Sequence, residues 1–76
     1  MMSERKIKLR EMDEVRDFVR AAETCDYDVD ISYNRVVIDA KSLMGVLSLD
    51  LTKELTVKFC EEDLHFMDIL DKYAVS

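Results

Sequence analysis

Residues 28–51 read "DVDISYNRVVIDAKSLMGVLSLDL", and their apolar period changes once, near Ala40. Before that point apolar side chains recur at every second position. Val29, Ile31 and Tyr33 take one side of an extended chain, while Asp28, Asp30 and Ser32 take the other. Asn34 and Arg35 suit a two-residue turn, since asparagine accepts a positive φ, although arginine is poorer there than glycine. The returning strand then presents Val36, Ile38 and Ala40. After Lys41 the alternation stops, Ser42 is a preferred N-cap, and a short helix follows from Leu43 around Gly45, the chain's one glycine. A hairpin feeding a capped, strongly apolar short helix is the nucleus of the fold.

Toward the N-terminus, "RKIKLR" alternates again, with Ile7 and Leu9 on one side and Lys6, Lys8 and Arg10 on the other. From Asp13 the period becomes helical. Val15, Phe18, Val19 and Ala22 form a single stripe of a helix ending near Thr24. Toward the C-terminus, residues 54–59 form a strand with Leu55, Val57 and Phe59 inward. Asp63 can cap a last helix carrying Leu64, Phe66, Met67, Leu70 and Tyr73. The order is β-α-β-β-α-β-α, a single domain spanning residues 1–76. Each strand has one apolar face, so the expected class is α+β: a four-stranded, mostly antiparallel sheet with three helices on one face.

The chain has 76 residues, 49% of them hydrophobic, with no proline, and such a composition folds rather than staying disordered. Seventeen acidic against eleven basic residues give a net charge of −6, which disfavours nucleic acid and anionic membrane partners. No apolar run approaches a membrane span, and "MMSERKIKLR" lacks the apolar core of a signal peptide. A cytoplasmic protein is expected. Cys25 and Cys60 have neither metal nor redox spacing and are read as reduced and structural.

The stretch "KSLMGVLSL", Lys41 to Leu49, resembles the "KSIMGVMSL" segment of HPr, the histidine-containing phosphocarrier of the bacterial phosphoenolpyruvate-dependent sugar phosphotransferase system (PTS). The likeness runs back through "DVDISYNRVVIDA", similar to the family's "DVNLEYNGKTVNL" hairpin. It runs forward through "ELTVKF" and the last helix, with about two residues missing near Lys53 and Glu54, so that it covers Asp26 to Ala74. Two glycines of the pattern are replaced, by Arg35 in the hairpin and by Asp50 after "SL". The resemblance implies the HPr open-faced sandwich, whose element order is the one derived above.

The family's carrier motif, "G-[IL]-H-A-R-P-A", lies between the first strand and first helix. There a histidine takes phosphate from Enzyme I, and an arginine and helix amides hold it. This chain has "LREMDEVRDF", which puts Glu11 near the histidine position and Asp13 near the arginine position, a degenerate phosphocarrier site. Glu11, Asp13 and Glu14 crowd a helix N-terminus that would otherwise attract an anion, and no imidazole stands among them. Histidine phosphocarrier activity is therefore expected to be absent. His65, the only histidine, starts the last helix beside Glu61, Glu62 and Asp63, with no arginine or phosphate nest.

In the Gram-positive members of the family, the serine of "KSIMG" is phosphorylated by an ATP-dependent HPr kinase, and the product docks on a carbon-control transcription factor through the short helix. Some members lack the carrier histidine and act in regulation alone. By that resemblance Ser42 is the regulatory phosphorylation site and Leu43, Met44 and Leu47 the partner-docking helix. A phosphate on an N-cap serine lies against free helix amides, and Lys41 adds a cation. Gly45 keeps the helix low, for close approach by a partner or by the sheet. The reading is a regulatory or protein-interaction module and not an enzyme, with protein partners and no cofactor or metal.

Other readings stand beside it. Ser42 can persist as a helix cap alone. The chain could carry phosphate on a non-standard acceptor, His65 or Glu11, or serve a role unrelated to sugar transport. A small-molecule site would need a glycine-rich loop or convergent polar cluster, and none is present. Asp26, Asp28 and Asp30 mimic the start of a calcium loop but lack its glycine and its final glutamate, so they read as the wet face of a strand. Cys60, Glu61, Glu62 and His65 do not complete a metal site. Arg16 and Arg20, outward on the first helix, could form part of a partner surface.

Overall fold

The computed structural model describes residues 2–60 and 63–75. In chain order the elements are β1 (Ser3–Ile7), α1 (Met12–Glu23), β2 (Val29–Tyr33), β3 (Val36–Asp39), α2 (Leu43–Leu47), β4 (Leu55–Phe59) and α3 (Leu64–Tyr73). This is the expected β-α-β-β-α-β-α order. The four strands make one sheet in the order β1-β4-β2-β3, with every pairing antiparallel. Helices cover one face, giving the open-faced α+β sandwich.

Alternation in the sequence becomes two kinds of row across the sheet. On the helix side, Arg5, Val57, Ile31 and Ile38 lie in register, and Phe59 faces Val29. On the bare side, Glu4, Lys58, Asp30 and Asp39 lie in register across all four strands. Glu4 and Lys58 approach to 3.9 Å. Asp30 and Asp39 face each other as like charges at the β2–β3 pair, an unfavourable arrangement that the hairpin carries at its open end.

The hairpin turn uses Asn34 at φ 55°, and it alone among the described non-glycine residues has a positive φ. Arg35 therefore needs no glycine-like backbone, and the replacement is tolerated. Asp50 is accommodated in another way. Its Oδ1 accepts hydrogen bonds from the Thr52 amide at 3.1 Å and the Thr52 hydroxyl at 2.5 Å, so a side chain closes the turn. Those bonds hold the Asp50 carboxyl below its usual value.

The core is assembled from every layer. Phe66 of α3 meets Phe59 of β4 edge-on, with centroids 5.6 Å apart, and Phe18 of α1 at 6.2 Å. Around them Ile7, Val15, Val29, Ile31, Val46, Leu55, Val57 and Leu70 are fully buried. Outside this apolar core a polar tie joins α3 to α1. The Tyr73 hydroxyl donates to Asp17 Oδ2 at 2.6 Å, and Lys72 Nζ lies 3.4 Å from the same oxygen.

Several expectations need correction. The first strand spans Ser3–Ile7 instead of residues 5–10, because pairing with the five residues of β4 sets its length. Leu9 is buried beyond it. Tyr33 is only half-buried, and Val36, at the turn end of the edge strand, is 50% exposed. Leu64 is 82% exposed, since it falls on the side of α3 opposite the buried Phe66, Leu70 and Tyr73. Cys25 is buried, but Cys60 is exposed and supports no core. Among the described residues, no helix is long and apolar enough to cross a membrane.

Candidate functional site

Ser42 has extended backbone angles and ends the β3–α2 connection, which leaves its side chain free to turn back onto the helix. Its Oγ accepts a hydrogen bond from the Gly45 amide at 3.3 Å, and the residue is exposed. It is thus a true N-cap. Gly45 is required because α2 lies on β3. A Cβ there would come within 2.5 Å of Ile38 Cγ2 and 3.2 Å of Ser42 Oγ. Of the two close approaches left open by the sequence, the sheet makes this one.

Beyond the cap, Met44 is 79% exposed, while Leu43 and Leu47 are half-buried. Val46 turns fully into the core, as a one-and-a-half-turn helix on a sheet demands. Leu43 also lines a groove of about 310 Å³ between α2 and α1, together with Arg16, Val19, Arg20 and Glu23. Two arginines four residues apart thus stand beside α2. Lys41 behaves differently from the expectation. Its Nζ donates to the Cys25 carbonyl at 3.0 Å, so the ammonium fastens the loop after α1 instead of lying free beside Ser42. The five residues of α2 also make only a small dipole, so helix amides contribute little toward an anion on Ser42.

Glu11 and Asp13, which the resemblance puts near the carrier positions, lie at the start of α1. Glu11 occupies the N-cap in extended conformation, is exposed, and makes no side-chain cap bond. Asp13 and Glu14 fill the first turn. Glu14 Oε1 accepts from the Arg10 amide at 2.6 Å, so a carboxylate of the chain itself takes a donor at this end. His65 is exposed at the start of α3, its amide donating to Asp63 Oδ1 at 2.9 Å. Its acidic neighbours Glu61 and Glu62 lie outside the described residues, and with them the grouping of Cys60, Glu61, Glu62 and His65.

Two features escaped sequence reading. The Lys41–Cys25 bond spans sixteen residues and has no local signal. The Asp17–Tyr73–Lys72 cluster joins residues up to fifty-six apart. Its hydrogen bond from Tyr73 holds the Asp17 carboxyl below its usual value, helped by Lys72. Burial, then the Asp17 hydrogen bond, push the Tyr73 hydroxyl well above its ordinary value.

Among curated proteins there is no match. Among solved structures, the phosphocarrier protein HPr from Bacillus anthracis str. Ames is similar with a TM-score of 0.72 at 19% identity, over 95% of this chain and 96% of that chain. HPr-C-His from Thermoanaerobacter tengcongensis is similar with a TM-score of 0.71 at 21% identity, over 95% of this chain and 92% of that one. At such identities these likenesses speak for the fold. The family model described as the PTS HPr component phosphorylation site matches residues 13–66, from the first turn of α1 into α3. That span includes the hairpin, Ser42 and its helix, and with well over half of the sequence accounted for, this chain belongs to the HPr family of the phosphotransferase system.

Proposed function

We propose that this HPr-family protein is a regulatory protein-interaction module in which Ser42 is the phosphorylated residue and no histidine carries phosphate. The observation that carries the reading is the pairing of an exposed Ser42 cap with an exposed Met44 on the same short helix, at one side of an arginine-bearing groove. Serine phosphorylation joins Oγ to the γ-phosphorus of ATP, breaks the bond to the bridging oxygen, and releases ADP. The hydroxyl proton goes to a base on the kinase. The new dianion disturbs only a weak 3.3 Å cap bond, so α2 stays formed and the phosphate remains presented to solvent.

Leu43, Met44 and Leu47 then supply apolar contact, and Arg16 and Arg20 supply charge, to a protein partner. An HPr kinase and a carbon-control transcription factor are the partners this arrangement suits. The protein performs no chemistry of its own, takes no cofactor or metal, and works in the cytoplasm. The resemblance puts Glu11 and Asp13 near the family's carrier positions, and with Glu14 they set three carboxylates at the start of α1, which supports the reading because they repel a phosphoryl group.

Incubation with HPr kinase and ATP, followed by intact-mass analysis, tests the reading. One phosphate is expected on the wild type and none on S42A. An unlabelled wild type beside a labelled authentic HPr would contradict it.

A further inference from the structure

The two edges of the sheet are treated differently. The C-terminal segment covers one end of the free side of β1: the Lys8 amide donates to the Tyr73 carbonyl and the Val75 amide to the Lys6 carbonyl, each at 3.0 Å, and Ile7 bridges Ala74. That strand also carries Glu4, Arg5 and Lys6, charges of the kind that discourage pairing. The other edge, β3, has no such cover from the described strands. Its sequence is Val36-Val37-Ile38-Asp39, with Val36 50% and Val37 62% exposed. It has no lysine, proline or bulge.

The hydrogen-bonding direction of β3 follows from its register. Ala40 donates to the Val29 carbonyl at 2.9 Å, and antiparallel ladders alternate, so Ile38 and Val36 bond inward to β2. Val37 and Asp39 therefore direct their amides outward. The Asp39 carbonyl on this side already accepts the Ser42 amide at 3.0 Å, and the outward amides of Val37 and Asp39 with two exposed valines make a template for another strand.

We propose that a second copy of this chain fills it, β3 pairing antiparallel with β3 about a two-fold axis through Val37. The sequence "RVVID", residues 35–39, is self-complementary in that register. Val37 faces Val37 of the second copy, Val36 faces Ile38, and Arg35 faces Asp39. The charge pattern favours this occupant over an unrelated strand. The bare-side row Glu4–Lys58–Asp30–Asp39 alternates until its last pair, where Asp30 and Asp39 repel. In the dimer, Arg35 of the second copy extends that row beyond Asp39 and supplies the missing cation, twice by symmetry. One Asp39 oxygen already accepts the Lys41 amide at 2.9 Å, which leaves the other for the guanidinium. A seam of five residues a side is much smaller than the ~1,600 Å² of a tight interface, so the dimer dissociates on dilution.

Sedimentation equilibrium from about 10 μM to about 1 mM, a range suited to so weak a contact, is the test. The wild-type average mass should rise toward twice the monomer. V37K sets two like charges face to face on the axis and should raise the dissociation constant at least ~10-fold. It substitutes a mostly exposed residue, so its melting temperature serves as the folding control. R35D, which sets a carboxylate against Asp39 of the second copy, should weaken association at low salt, and added salt should restore part of it. Amide exchange at Val37 and Asp39 should slow as concentration rises. A wild type that stays monomeric throughout, or a V37K that associates as the wild type does, would overturn the proposal.

Discussion

Two single residues decide whether α2 can sit where it does, and both make measurable predictions. Gly45 lies against Ile38, whose branched methyl has little freedom to withdraw. Gly45→Ala should therefore cost about 1–3 kcal/mol in urea unfolding despite the better helix propensity of alanine. A stabilised variant would show that the helix can lift without penalty. Ser42→Ala removes one cap bond and should cost about 1 kcal/mol, a loss readable by the same measurement. Tyr73 makes the third. Its folded hydroxyl is raised, so its contribution is full below its ordinary value of 10.0 and is lost as pH rises through the folded value. Asp17 has the opposite sign: depressed in the folded chain, it stabilises above 3.8 and loses that contribution as pH falls through the folded value. Tyr73→Phe should lower stability at neutral pH by about 1–2 kcal/mol, and calorimetry should show the deficit shrinking toward about pH 2. A deficit that does not change with pH would assign the loss to packing.

At the scale of elements, the period of the apolar residues is enough to place every strand and helix. Val29, Ile31, Leu55, Val57 and Phe59 are buried as their alternation requires, and Val15, Phe18, Val19 and Ala22 as their helical stripe requires. Periodicity says which face a residue takes but not how far the neighbouring element reaches. Val36 lies on the apolar side of its strand yet is half exposed at the turn end, and Leu64, two residues before Phe66, falls on the outer face of α3, away from the Phe66, Leu70 and Tyr73 stripe. Lys41 was legible as a cation near Ser42, but its tether to the Cys25 carbonyl depends on a loop folded back from α1. The exposure of α2 leads to a prediction at this scale. Met44→Asp should change stability by no more than about 0.5 kcal/mol, because the side chain is almost wholly in water. The same variant, phosphorylated on Ser42, should bind a carbon-control transcription factor at least ~10-fold more weakly than the phosphorylated wild type in titration calorimetry. Equal binding would remove α2 from the docking surface.

The whole molecule keeps the HPr fold and divides its charge along α1. Acidic groups gather at the start of α1, where Glu11, Asp13 and Glu14 stand, while Arg16 and Arg20 lie further along the same helix beside Leu43. The fold was legible because "KSLMGVLSL" and its hairpin are specific and because seven periodic segments leave few arrangements of a small sheet. The candidate site was legible as a serine, its short helix and two outward arginines, but not as one groove, since the α1 residues lie twenty or more positions from Leu43. The most direct test of the account is phosphorus-31 NMR of the protein after incubation with Enzyme I and phosphoenolpyruvate together with HPr kinase and ATP. The prediction is a single phosphoserine resonance, titrating near pH 6 as a phosphomonoester does and absent from S42A. A phosphoramidate or acyl-phosphate resonance, from His65 or Glu11, would contradict it, as would no protein signal where authentic HPr shows both modifications.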